Sequence, residues 1–582
     1  MREVRAPGVY FEPSEQRIAP LELGETGVPV FLGITRRGPL DRPVRLTSEA
    51  RFVELFGEPL PDGYLGPALR GFFDNGGEDC YVLRVARVEG APGESFAATA
   101  KHTLLDRGGQ PTLRVTALDP GSWGNHVRVT LALSSPNRTF LTLDGDPGDE
   151  AVHVKSTHGL TPGTLVRIHD AQNEQWTVVQ SVAGKRLVLA DPLARAFASA
   201  APTYVVAHTF DLKVRDFERE ERFGELSLFG NSARFIERVI NEQSRLIRCT
   251  ALRPTTPVAL AEPIEVTEVA LTGGADGLTD LGPEDFIGHD RGPGDRRGLM
   301  SLVEYDEIDL VAMPDLMNAF ERSTRFTLRG VEAVQEAAVT ICERSINRFA
   351  LLDMPPGADF EEALRWRRQI DSPRAALYFP WVVVLRSGKR VTVPPCGHVA
   401  GIIARSDRAI GVHKAPANEI VEGIVDLAVL LRDTHLALLN DAGINCMRPF
   451  GPRGLRLWGA RTTSSDPEWR YINVRRTVSA IAAAIESGMQ WVVFETNTPD
   501  LWKRVSRQIS AFLIGLRERG MLSGSTPEEA FFVKCDSETN PGPEVDAGRL
   551  TTLIGLAVTR PVEFIVFRLS QRLEDEAQAV EE

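Results

Sequence analysis

Helices and strands alternate through the first 90 residues, stop, and resume near residue 271. Any fold for this chain must therefore contain a layer that the chain leaves and later rejoins. On the near side, "VPVFLGI" (28–34) reads as a buried strand and "TSEARFVELFG" (47–57) as a short helix capped by Thr47 or Ser48. "LGPALRGFFDNGG" (65–77) follows as a second helix closed by glycines, then "CYVLRVA" (80–86) as a strand. On the far side "IDLVAMPD" (308–315), "RFALLDMPPG" (348–357) and "AALYFPWVVVL" (375–385) predict strands. "RGVEAVQEAAVTICERSI" (329–346) and "EIVEGIVDLAVLL" (419–431) predict helices. Helices interleaved with strands imply an α/β layer, 26–90 plus 271–454.

The detour, 91–270, has a different texture. "TLRVTAL" (112–118) and "HVRVTLAL" (126–133) alternate as half-exposed strands, and 137–208 carries turn residues every 8–12 positions. A mostly β insertion is expected, with a nested β module at about 137–208 and one helix in "SARFIERVINEQS" (232–244). The last part, 455–582, predicts an α+β domain. It has a helix at about 473–487, a strand Gln490–Glu495, and a helix capped by Thr498 with Pro499 at its first position. That helix has apolar residues Trp502, Val505, Ile509, Phe512, Leu513 and Leu516 at spacings of 3 and 4. Two strands are expected at 550–558 and 562–570. The fold class is thus α/β and α+β multidomain.

With 43% hydrophobic and 25% charged residues, the composition is that of a globular protein, and the net charge of −13 argues against a general nucleic-acid binder. The six cysteines are scattered, with none at CxxC spacing, as expected of reduced thiols in a protein made in the cytosol. The start lacks the apolar stretch of a secretion signal, and no uncharged apolar run reaches the ~18 residues of a membrane helix.

Catalytic patterns are sparse. There is no GxSxG, Walker loop, HExxH or strand-linked GxGxxG. "LTGGADG" lacks the lysine of a phosphate loop and reads as a turn. Cys396 and His398 in "PPCGHVAG" could form a nucleophile pair, but spacing alone does not make a dyad. Asp315 and Asp353 fall at strand ends, where α/β enzymes place catalytic groups, and nearby prolines explain them equally well as turn residues. A hydrolase would need all four to converge in one pocket. No catalytic, metal or cofactor residue is assigned.

The two ends carry more. Val9, Tyr10 and Phe11 form a short β-prone piece in an arm, 1–25, with nothing nearby to pair with. Glu563, Phe564, Ile565, Val566 and Phe567 form a second apolar strand before the acidic tail. Unpaired strands are aggregation edges unless they add to another sheet. If they reach a different neighbour rather than a two-fold mate, the contact is heterologous and builds a filament. "WRYINVRR" (469–476) poses a separate question: Arg470, Arg475 and Arg476 beside two aromatics could hold an anion or serve the assembly.

The stretch "NCMRPFGPRGLRLWGARTTSSDPEWRYINVRRTVSAIAAAIESGMQWVVFETNTPDLW" (445–502) closely resembles the C-terminal domain of contractile tail sheath proteins. "PPCGHVAGIIARSDRAIGVHKAPANE" (394–419), "APGVYFEP", "RPVEFIVFRLSQ" and "LTGGADG" resemble other motifs of that family. The resemblance implies a helical homopolymer around an inner tube, assembled on a baseplate and closed by a cap or terminator. The C-terminal domain would lie innermost and the insertion outside, with exchanged terminal strands linking neighbours. Contraction would drive the tube through a target membrane, with no cofactor, nucleic acid or membrane insertion. Assembly would take place in the bacterial cytoplasm, within a phage tail or an injection particle that can be released. A type VI secretion sheath is the structural alternative. Flexible linkers are expected at Ile18 to Glu25 and Asp536 to Gly548. Residues 453–522 hold eleven basic against six acidic side chains, so Lys503, Arg504 and Arg507 are candidates for the tube-facing surface. The arginines of 469–476 are then expected to orient the inner domain, with at least one paired to a carboxylate.

Overall fold

The computed structural model describes residues 20–89, 96–105, 109–217, 219–252 and 266–563. Val9, Tyr10, Phe11 and Phe564, Ile565, Val566, Phe567 lie outside the described residues.

The interrupted layer is one nine-stranded sheet. Its order is Val44–Leu46, Cys80–Arg84, Pro29–Gly33, Leu310–Ala312, Phe349–Asp353, Ala375–Phe379, Ile444–Pro449, Leu455–Trp458 and Glu419–Ile420. The junction between near and far halves is the parallel pair Pro29–Gly33 with Leu310–Ala312. The inner strands are parallel and buried on both faces ("PVFLG", "CYVLR", "FALLD", "AALYF"), which is why they read as continuous apolar runs. The outermost strands pair antiparallel. Helices on the two faces close two separate apolar cores. The Glu49–Phe56 helix is capped by Ser48, which accepts from the Arg51 N–H.

Several sequence expectations change. "EIVEGIVDLAVLL" is not a helix: Gly423 takes φ +80 and splits it into the strands Glu419–Ile420 and Ile424–Leu427. "AALYFPWVVVL" is two strands, because Pro380 cannot donate to a ladder; Val382–Arg386 joins a separate three-stranded sheet. "PPCGHVAG" opens the Cys396–Ala409 helix. Gln490–Glu495 is a single 3-10 turn, Gln490–Val492, followed by a loop rather than a strand.

The insertion forms an eight-stranded and a three-stranded sheet around two cores. The long strands Arg128–Phe140 and Tyr204–Arg215 pair along their length, and Tyr204–Arg215 contributes to both cores: Val205 and Ala207 to one, Phe210, Leu212 and Val214 to the other. Their register shifts between Ala207 and Thr209, where the side chains of Tyr204–Arg215 pass from one core to the other. "LTGGADG" is a turn tied back to the insertion by bridges Lys101 to Thr272 and Ala98 to Ala275.

Past Trp458, the helices Ile472–Gly488 and Pro499–Glu518 pack on a hairpin of Phe531–Lys534 and Leu553–Leu556. All six apolar positions expected on the second helix are buried. Leu455–Trp458, placed with this part in the sequence reading, pairs instead into the nine-stranded sheet. Neither expected linker is free where described. Leu21 is buried in the C-terminal core against Gly488. Asp536 to Gly548 is the hairpin connection, held by Asn540, which donates to the Thr551 carbonyl (3.0 Å) and accepts from the Thr551 N–H (2.6 Å).

Candidate assembly site

The four residues of the enzyme reading are each 3% exposed or less, so none of them opens to solvent. Asp315 lies in the first turn of the Pro314–Arg322 helix. Its carboxylate accepts from the N–H groups of Ile34 (2.8 Å), Tyr64 (2.5 Å) and Leu65 (3.3 Å), capping the Leu65–Asp74 helix. Asp353 accepts from the Cys396 N–H (3.1 Å) and the Cys396 thiol at the start of the Cys396–Ala409 helix. Burial raises Asp315 to about 6 and Asp353 to about 7, and it pushes the Cys396 thiol well above its ordinary value. Burial of this kind favours the neutral thiol over the nucleophilic thiolate. His398, two positions along the same helix and so turned some 200° away from Cys396, packs on Gly71 and is lowered to about 4 by burial. The two carboxylates therefore hold two helices that cross without room for a side chain. A Cβ on Gly397 would come within 2.2 Å of the Ala68 carbonyl, and one on Gly401 within 2.4 Å of the Phe72 carbonyl.

The arginine cluster resolves differently for each member. Arg476 is buried, with its Nη1 on Asp407 Oδ1 (3.0 Å) and its Nη2 on Asp407 Oδ2 (2.6 Å) and Asp309 Oδ2 (2.8 Å). Asp309 also accepts from the N–H groups of Gly27 (3.0 Å) and Val28 (2.7 Å). One guanidinium thus ties the Ile472–Gly488 helix to the Cys396–Ala409 helix, to the segment leading into Leu310–Ala312, and to the segment leading into Pro29–Gly33. Burial pushes Asp309 up, opposed by the Arg476 charge, and the two carboxylates raise Arg476 against its own desolvation. Arg475 stacks on Trp469, 4.2 Å from the ring centre, and donates to Ser479 Oγ (3.2 Å). Burial and the neighbouring Arg374 lower it to about 10. Arg470 is exposed. Asp309 and Asp407 were missed in the sequence; they lie 167 and 69 residues away, and no spacing rule connects them.

Lys503, Arg504 and Arg507 are exposed on the Pro499–Glu518 helix. Lys503 sits 3.7 Å from Asp500, and Arg504 sits 3.6 Å from Glu495 while stacking on Trp491. Two of the three thus share their charge with a carboxylate of the same chain. The neighbouring hairpin is two-stranded and, among the described residues, its strands pair only with each other. Phe532 and Leu553 on it are 53% and 52% exposed. The ribbon's other apolar side chains, Phe531, Val533, Ile554 and Leu556, pack against the helices.

Glu563, the one described member of the C-terminal linking set, is held in its own subunit. Its carboxylate accepts from Arg461 Nε (3.0 Å) and Nη2 (2.6 Å), and Tyr471 bonds it as well. These contacts pull Glu563 below the ordinary carboxylate range against the cost of burial. Among the described residues no group of metal-ligating side chains occurs, and no helix is long and apolar enough to cross a membrane.

Residues 296–463 match the phage tail sheath protein central domain, and residues 464–572 match the phage tail sheath C-terminal domain. A putative prophage major tail sheath protein of Pseudomonas aeruginosa (strain UCBPP-PA14) is 26% identical over 294 residues, 49% of this chain and 71% of the relative. The tail sheath protein of Escherichia phage P2 is 23% identical over 252 residues, 42% of this chain and 60% of the relative. In fold, the chain is similar to the contracted helical sheath of the anti-feeding prophage, with TM-score 0.52 and 21% identity over 98% of this chain and 100% of that one. It is also similar to the contracted PVC sheath of an extracellular contractile injection system, with TM-score 0.51 and 18% identity over 99% of each chain. Two sheath domain models end to end, sheath relatives in sequence and sheath neighbours in fold agree: the chain belongs to the contractile tail sheath family.

Proposed function

We infer that this chain is a structural sheath subunit that polymerises helically around an inner tube and contracts to drive that tube through a target membrane. The observation that carries the reading is the open hairpin of the C-terminal part, Phe531–Lys534 with Leu553–Leu556, in a chain of the sheath family. Among the described residues both of its edges are unpaired, and strands from neighbours can add there. The N-terminal piece Val9–Phe11 and the residues that follow the anchored Glu563, 564–567, are the strands that fit, since each is short, β-prone and unable to form a sheet alone. Exchange with different neighbours is heterologous and builds an open helix. Main-chain ladders of this kind keep subunits joined while the globular bodies repack, which one-way contraction between two packings requires.

The C-terminal part then lies innermost and presents Lys503, Arg504 and Arg507 to the tube, while 91–270 lies outside. The baseplate and a terminator complete the set of partners, and assembly takes place in the bacterial cytoplasm. The curated relatives named above are phage and prophage sheath proteins, which favours a phage tail or phage-tail-like particle over a type VI sheath.

Removing residues 1–13 tests the reading. The truncated subunit should stay folded and soluble, with an unchanged circular dichroism spectrum, and form no extended sheath by negative-stain microscopy. Sheaths of normal length from the truncated subunit would refute strand linking by this arm.

A further inference from the structure

A groove of about 950 Å³ opens where the described chain ends. Its apolar wall includes Ile410, Leu436, Ala437 and Trp458, with Ile410 57% and Trp458 41% exposed. The last residues, Thr559 to Glu563, form part of its lining. They are fastened at both ends. The Thr559 carbonyl accepts from Asn473 Nδ2 (3.1 Å), and Glu563 is clamped by Arg461. Val562, between them, is 80% exposed. The chain is therefore delivered into the groove in a fixed place, and the residues that follow read Phe564-Ile565-Val566-Phe567-Arg568-Leu569. At roughly 3.3 Å per extended residue, four residues reach about 13 Å from Glu563.

We propose that this groove holds the subunit's own segment 564–569 before assembly, and that the segment leaves it only to join a neighbour. The proposal rests on the strand-linking reading above and adds a resting state to it. The need is physical. Four consecutive apolar β-formers, free in water on every subunit, are a template for aggregation. An apolar groove beside their point of attachment covers them at little entropic cost, because the tether is so short. Glu563 is the pivot: it stays on Arg461 while the residues beyond it exchange the groove for a neighbouring sheet edge. The occupant is the same chain rather than a second copy because the segment is already anchored at the groove's wall, so its local concentration far exceeds that of another subunit.

The test uses the full-length chain with Cys535→Ser, since the other five native cysteines are buried. One cysteine is placed in the groove by Ala437→Cys. A second is placed in the segment by Phe567→Cys or, in a parallel variant, Phe564→Cys. After diamide oxidation at low protein concentration, at least one variant should give an internally cross-linked monomer on a non-reducing gel. That locked monomer should fail to add to growing sheaths until dithiothreitol reopens it. A dimer band alone would place a second copy in the groove and overturn the proposal. So would the absence of any cross-link in a folded monomer, or sheath growth from the locked form as fast as from the reduced one. If the wild-type chain forms no sheath at all, the functional reading fails while the cross-link still reports on the groove.

Discussion

Replacing Arg476 with methionine should loosen the joint between the C-terminal part and the sheet. Methionine matches much of the volume but leaves Asp309 and Asp407, whose side chains are 5% and 2% exposed, facing each other without a cation. Three charge-assisted hydrogen bonds go with it. Removing one member of a buried ion cluster costs about 3–5 kcal/mol, chiefly the penalty of stranding the partner charge. At about 1.4 kcal/mol per tenfold, local opening should become more frequent by roughly two to three and a half orders of magnitude. The chain has several separate cores, so one global unfolding free energy is not the right measure. Native-state hydrogen exchange is. The Gly27 and Val28 amides donate to Asp309 and should lose protection by that factor, together with the first turns of the Ile472–Gly488 helix. Arg475→Met is the control. It removes a stack on Trp469 and one bond to Ser479 but strands no carboxylate, so its cost should stay near 1 kcal/mol. Equal protection at Gly27 and Val28 in the two variants would refute the assignment of Arg476 as the joint.

Asp353 gives a pH prediction. Its folded value, raised by burial from 3.8 to about 7, lies above its unfolded one, so folding takes up a proton between them. Stability from this group is greatest below about 4 and is lost as pH rises through about 7, where the carboxylate must be charged in a dry site. Asp353→Asn can still accept from the Cys396 N–H but cannot ionise; the hydrogen-exchange protection factor of the Cys396 amide in the wild type should fall relative to this variant between about pH 4 and pH 7, and a constant ratio would be the contrary result. Reversing Lys503, Arg504 and Arg507 to glutamate should leave sheath polymer intact but yield sheaths lacking a tube, because exposed pairs worth roughly 0–1 kcal/mol each act only through many copies; tube-filled particles at the normal yield would show that the tube is held elsewhere.

The sequence was most legible where a local rule suffices. The Pro499–Glu518 helix follows from its Thr498 cap, its proline at the first position and its apolar spacing. The strands Pro29–Gly33 and Phe349–Asp353 follow from being apolar on both faces. It misled where one residue overrides a pattern. Gly423 in a left-handed conformation turns a helix-like run into two strands, and Pro380 sends one apolar run into two sheets. Burial misled as well: Asp315, Asp353, Cys396 and His398 are reactive by type but enclosed, and only the packed helices reveal that the carboxylates act as caps. The arginine cluster was visible, but its partners were not, because an ion triad across 167 residues of chain leaves no periodic trace. The exit of the chain along the groove was hidden for the same reason, since Glu563 and Arg461 are 102 residues apart.

Helical reconstruction of the assembled polymer at a resolution that traces main chain would show where the linking strands lie. Strands from two different neighbours, containing Val9–Phe11 and Phe564–Phe567, should pair with the edges of the Phe531–Lys534 and Leu553–Leu556 hairpin. A polymer in which that hairpin stays two-stranded, or in which both segments remain within their own subunit, would contradict it.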